Sequence, residues 1–266
     1  MNRVTSKDGT SIAYERSGTG PAIILVGGGL DDGSENAALV PELARHFSVY
    51  NYARRGRGDS GDTLPYAVER EIEDIDALIS EAGGSAHLFG ASSGGALALE
   101  AAAAGLAIGR IAVYEVPYMS NDTAAQHWSE YVDKLTAALA DGRRADAIEL
   151  FMRLAGSSDE DIAGARDSSF WPGLETLATT LAYDAACLGD GRPPVTRLVT
   201  ITQPTLVATG GTPDPHTKGL QPGFFDEAAD AIAATLPKAG RRIIEAQTHV
   251  ADPRVLASVL EQFLTR

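Results

Sequence analysis

The chain has 266 residues, 44% of them hydrophobic and 22% charged, with 28 Gly and 13 Pro, the make-up of a folded globular protein and not of a disordered or fibrous one. Its 22 Lys and Arg stand against 36 Asp and Glu, and the resulting net charge of -14 repels phosphate backbones and anionic lipid, which argues against nucleic acid and membranes as partners. The one cysteine, Cys187, permits neither an intrachain disulfide nor a cysteine-based metal cluster.

From the N-terminus, Met1 to Thr10 holds no apolar stretch of signal-peptide length, and no run elsewhere is long enough to span a bilayer, so the expectation is a cytoplasmic enzyme. Ser11 to Glu15 alternates like a half-buried strand. Ala22 to Val26, Val49 to Ala53, Ala86 to Phe89, Ile111 to Tyr114, Thr205 to Ala208 and Arg242 to Ile244 read as more deeply placed strands. Between them, Ala67 to Glu81, Gly94 to Ala104, Phe225 to Leu236 and Pro253 to Leu264 carry apolar residues at helical spacing, with Pro253 suited to a first helical turn. Alternation of this kind predicts an α/β protein with a mostly parallel sheet covered on both faces.

One region breaks the alternation. From Pro117 to Thr202 there is no convincing strand, only helix-like stretches such as Ala124 to Ala140 and Ala145 to Leu154, so residues 117–202 are read as a helical insertion into a core formed by 1–116 and 203–266. Its bulky side chains include Trp128, Tyr131, Phe151 and Trp171, which either line an apolar substrate cavity or supply the insertion with its own core.

The most informative segment is Gly90-Ala91-Ser92-Ser93-Gly94, set between an apolar strand and a small-residue helix. Glycines on either side of a serine leave room for a sharp, strained reversal, and unpaired backbone N–H groups at the helix start favour negative charge beside the hydroxyl. Ser92 is therefore the candidate nucleophile, and a capped Gly-rich turn is the alternative.

The sequence here resembles the α/β-hydrolase family, over nearly the whole chain. Ile23 to Leu30 is similar to the family's strand and oxyanion loop, with Gly27-Gly28 where His-Gly is usual; Tyr52 to Ser60 resembles its Arg-Gly-x-Gly-x-Ser loop; Gly90 to Gly94 matches the elbow, and Gln247-Thr248-His249 the late histidine turn. The resemblance implies a mostly parallel central sheet flanked by helices, with the insertion as a helical cap. It also implies that His249 is the base, that the N–H groups of Ser93 and Gly29 hold the oxyanion, with Gly28 or Leu30 in place of Gly29 if the loop shifts, and that Leu30 beside that loop contacts substrate. Of the other histidines, His46 and His87 lie in or beside early elements, His127 in the insertion and His216 in a polar loop.

Two carboxylates compete to orient the imidazole. Asp214 lies in Gly211-Thr212-Pro213-Asp214, like the family's commonest acid loop, and Glu115 ends the apolar strand Ile111 to Tyr114, where some members place the acid instead; the balance tilts to Glu115. Arg54, Arg55 and Arg57 form the one dense basic cluster, which either recognises an acidic substrate or braces neighbouring turns. No metal-ligand spacing appears, and no cofactor is expected. The function so implied is a serine hydrolase cleaving an ester, thioester or lactone of a small to mid-sized, partly apolar molecule through an acyl-enzyme. The alternative is a non-hydrolytic member that binds a small molecule or acts as a cyclase or lyase.

Overall fold

The computed structural model describes residues 1–265, and the His216 side chain lies outside what it describes. Eight strands form one sheet: β1 (Asn2–Thr5), β2 (Ser11–Ser17), β3 (Ala22–Val26), β4 (Ser48–Tyr52), β5 (Ala86–Ala91), β6 (Ile108–Tyr114), β7 (Thr205–Gly210) and β8 (Ala239–Ile244). Their order across the sheet is β1-β2-β4-β3-β5-β6-β7-β8. The pairs β1/β2 and β2/β4 are antiparallel and all the others parallel. The mostly parallel sheet expected from sequence is therefore present.

Early helices are α1 (Val40–Leu43), α2 (Val68–Glu81) and α3 (Ser93–Ala103). Between β6 and β7 run α4 (Asp122–Ala140), α5 (Arg144–Leu154), α6 (Asp159–Arg166), α7 (Trp171–Leu177), α8 (Leu181–Leu188) and α9 (Val195–Leu198), with no strand among the described residues of that segment. Helices α10 (Phe224–Thr235) and α11 (Pro253–Leu264) complete the chain. Local chemistry sets several of these starts: Asn121 caps α4 by accepting from Ala124 N, Ser158 and Asp161 form a reciprocal box at α6, and Asp252 caps α11 just before Pro253.

The sheet divides the core in two. Ile24 and Val26 of β3 face a cluster with α2, α3 and α8, whereas Ile23 and Leu25 face α11 and the α1 region, as the two-residue strand period requires. Because both faces are covered, β3 reads as an unbroken apolar run. The sequence reading misses β1, whose residues are mostly exposed at the sheet edge and carry no apolar signal, and the four-residue α1. It also starts β6 three residues late, where the pairing with β5 shifts register between Ala86 and Leu88. Among the described residues no helix is long and apolar enough to cross a membrane.

Candidate active site

Strand β5 passes into α3 through a turn in which Ser92 has φ 51 and ψ -128, a left-handed conformation that a residue with a side chain adopts only under constraint. The constraint is visible. Ser92 N–H donates to Tyr114 O at 2.9 Å, tying the turn to the end of β6. A Cβ on Gly90 would collide with the Gly94 carbonyl, and one on Gly94 with the Val26 carbonyl, with Gly27 O at 2.5 Å. The glycines are thus required by backbone meeting backbone. Ser92 itself is half-buried at the C-terminal edge of the parallel strands, while Ser93 is buried and its hydroxyl donates to Asp184 Oδ1 at 2.8 Å.

Glu115, directly after β6, also has a positive φ of 49 and is buried at 4% exposure. Its backbone N–H donates to Ala208 O, its Oε1 accepts from Gly210 N at 2.8 Å, and its Oε2 lies 2.6 Å from His249 Nδ1. With the carboxylate accepting, the imidazole proton sits on Nδ1 and Nε2 is left as the acceptor. Tyr114 anchors the histidine turn through a short bond from its hydroxyl to Thr248 O, and the His249 ring stacks on Phe225 with centroids 5.0 Å apart. Burial alone would depress the His249 pKa, but the hydrogen bond and charge of Glu115, with Glu35 and Asp214 adding their negative field, reverse the sign and raise it. Of the two carboxylates left open by the sequence, Glu115 is the one bonded to Nδ1, and Asp214 lies buried within electrostatic reach of the same ring.

The loop after β3 lies against the Ser92 turn. A Cβ on Gly28 would come 3.2 Å from Ser92 Cβ and 3.4 Å from Glu35 Oε2, and Glu35 Oε2 accepts the Gly28 N–H at 2.9 Å. Asp31 folds the loop back, its Oδ1 accepting from both Gly33 N and Glu35 N at 2.9 Å. Glu35 keeps exposed surface, yet the protein packed around its carboxyl, with the Asp31 charge adding, pushes its pKa up despite the Gly28 bond. Sequence reasoning passes over Glu35, one acid among several in a polar loop; the available signal was Asp31-x-Gly33, which turns the loop back on the glycine run.

The three arginines are buried and held by carboxylates, consistent with bracing. Arg54 makes a two-bond pair with Glu71 at 2.7 Å each and reaches Asp184 at 2.7 Å; Arg55 makes a two-bond pair with Asp74 at 2.8 and 2.7 Å and adds Asp8 at 2.9 Å. Arg57 joins Asp184 at 2.8 Å and donates to Gly28 O. Asp184, on α8, is another functional candidate that sequence reasoning misses, because its partners lie 91 to 130 positions away.

Phe151 stands over the loop, with its ring 3.3 Å from the position of a Cβ on Gly29, and Leu30 follows with φ 58. Tyr131 is buried, and that desolvation, with the Asp184 charge adding to it, raises its phenol pKa. Trp128 and Trp171 are buried in the packing of the helical segment, their indole N–H groups bonded to Gly189 O and to Glu175 Oε1. Among the described residues no group of three or more His, Cys, Asp and Glu side chains is gathered as a metal site.

The fold has counterparts. An alpha/beta hydrolase from Sphaerobacter thermophilus DSM 20745 is 45% identical, with a TM-score of 0.87 over 99% of this chain and 100% of that one. The enol-lactonase from Burkholderia xenovorans LB400 shares the fold at 23% identity, with a TM-score of 0.69 over 100% of both chains. An uncharacterized hydrolase, YraK, of Bacillus subtilis (strain 168) is 33% identical over 96 residues, a stretch covering 35% of this chain and 35% of that protein. The sequence model of the alpha/beta hydrolase family matches residues 23–259, and the chain belongs to that family.

Proposed function

We propose that the protein is a serine hydrolase in which Ser92 is the nucleophile, His249 the base and Glu115 the acid, acting on an ester, thioester or lactone of a small to mid-sized, partly apolar molecule. The observation that carries this reading is the 2.6 Å bond between Glu115 Oε2 and His249 Nδ1, made beside a serine held at positive φ on an elbow turn. Continuity between the two sides supports it: Gly28 packs on Ser92, Glu35 bonds Gly28, and Glu35 acts electrostatically on His249.

In the proposed cycle His249 Nε2 takes the Ser92 proton as Oγ attacks the carbonyl. The charge that develops on the carbonyl oxygen is held by the N–H groups of Ser93 and Gly29, the former at the start of α3 where the helix dipole assists. The imidazolium returns its proton to the leaving oxygen or sulfur, and water, deprotonated by the same histidine, releases the acid from the acyl-enzyme. Residues 117–202 act as the cap over this centre, with Phe151, Tyr131 and Leu30 on the acyl side and Trp128 and Trp171 shaping the wall behind them. The likeness to an enol-lactonase puts lactones among the first substrates to try.

A fluorophosphonate probe read by intact mass tests the nucleophile. One covalent adduct on the wild-type protein that is lost in Ser92→Ala is the expected result. An inert serine in well-folded wild-type protein would instead favour a non-hydrolytic small-molecule binder. Initial rates on p-nitrophenyl esters of increasing acyl length, then on lactones and thioesters, define the substrate class.

A further inference from the structure

We infer that Asp184, carried by α8 between β6 and β7, is a positioning residue for the oxyanion donors, so that the hole is complete only while α8 is seated against α2 and α3. The inference rests on the reading of Ser92 as nucleophile. Three donors converge on Asp184 Oδ1: Ser93 Oγ at 2.8 Å, Arg54 Nη1 at 2.7 Å and Arg57 Nη2 at 2.8 Å. Both guanidinium groups also hold the loop after β3, Arg57 Nη1 donating to Gly28 O at 2.5 Å and Arg54 Nη1 to Gly27 O at 3.3 Å.

The Gly28 carbonyl and the Gly29 N–H belong to one planar trans peptide and point in opposite directions. A guanidinium fixed on the Gly28 oxygen therefore fixes the direction in which the Gly29 N–H points, and it polarises that N–H through the amide. On the other side of the hole, the bond from Ser93 Oγ to the same carboxylate locks the residue that supplies the second N–H. One oxygen atom of Asp184 thus sets the relative orientation of two donors whose alignment governs how well developing charge is held.

The pattern differs from a pairing made for stability. Glu71 meets Arg54 with both of its oxygens, the favoured two-bond geometry, whereas Asp184 gathers all three donors on Oδ1. Asp184 Oδ2 is buried without a hydrogen-bond partner among the described residues, 3.5 Å from the Cβ position on Gly29. The helix that carries it is seated firmly: Tyr183 stacks on Tyr66 with centroids 3.8 Å apart and donates to Asp62, and Tyr66 OH donates to Glu71.

The test uses the full chain, p-nitrophenyl acetate as substrate and diethyl p-nitrophenyl phosphate as inactivator, with rates normalised to folded protein by thermal unfolding. In Asp184→Asn the amide cannot hold two guanidiniums, and kcat is expected to fall about 10- to 100-fold with KM within about threefold, below the loss on deleting a donor outright. Phosphylation of Ser92, during which the phosphoryl oxygen gains negative charge in the same hole before p-nitrophenolate leaves, should slow with it. Ser93→Ala keeps the backbone N–H and the arginine pairing and removes one link; its expected loss in kcat is about three- to tenfold, vanishing when introduced into Asp184→Asn because the two residues act as one unit. Wild-type kcat in both single variants, or strictly additive losses, overturns the inference while leaving the nucleophile intact. If Asp184→Asn does not fold, Ser93→Ala alone decides, and unchanged kcat there has the same meaning. Turnover persisting in Ser92→Ala would remove the underlying reading and this inference with it.

Discussion

The Glu115 carboxylate and the His249 imidazole meet at 2.6 Å across 134 positions of chain, and the bond is supported from both ends: Gly210 N–H holds the free oxygen of Glu115, while Tyr114 holds the carbonyl of Thr248. Replacing Glu115 with glutamine keeps the shape and lets the imidazole adopt the wrong tautomer, so kcat on an ester substrate is expected to fall by about 10³- to 10⁴-fold with KM little changed. Asp214→Asn, measured beside it, is expected to lose less than about tenfold, since Glu115 still holds Nδ1. A larger loss in Asp214→Asn than in Glu115→Gln would reverse the assignment.

The pH profile has a predicted sign. In its proposed role His249 works as neutral imidazole, and the carboxylates around it raise its pKa above the ordinary 6.5, so the acidic limb of kcat/KM should have its midpoint above that value. Removing the negative charge at position 35 in Glu35→Gln weakens the pull on the imidazolium and moves the limb to lower pH. A limb unmoved by Glu35→Gln would show that this carboxylate does not act on the base.

Arg55 sits with no exposed surface between Asp74 and Asp8. Cutting it to alanine strands the buried Asp74 charge, and a loss of about 3–5 kcal/mol in urea unfolding is expected. Arg143→Ala, which breaks only exposed pairs with Asp141 and Asp146, should leave the midpoint where it is.

Cys187 is packed beneath Tyr66 and Arg54, and burial, with the Glu71 charge, pushes its thiol up to about 12. The thiolate fraction at pH 8 is then on the order of one in ten thousand, so a disulfide reagent such as dithiobis(nitrobenzoate) should leave the native protein unlabelled and titrate one thiol in denaturant. Rapid labelling of native protein would mean that the α8 region opens readily.

The elbow, the histidine turn and the alternation of strands were legible because each is written in consecutive residues: glycines around Ser92, apolar runs of strand length, Thr248-His249 before the last helix. Glu115 was legible only as one of two choices, because which carboxylate meets Nδ1 depends on how β6 and the turn after β8 lie side by side. Glu35 and Asp184 were not legible at all. The first acts through a loop folded by Asp31, the second through arginines more than 120 positions away, and neither distance nor direction is encoded locally. The arginine loop was readable as chemistry but not as context, since one guanidinium seeks a substrate carboxylate or a structural one by the same forces.

Gly94 leaves no room between α3 and the carbonyls of Val26 and Gly27. Two of the loops around Ser92 therefore touch main chain to main chain, where no choice of side chain can widen the gap. On the proposed reading, room for a differently shaped substrate is gained at the helices between β6 and β7, where the Phe151 ring meets the loop at Gly29 and a smaller side chain leaves the main chain in place.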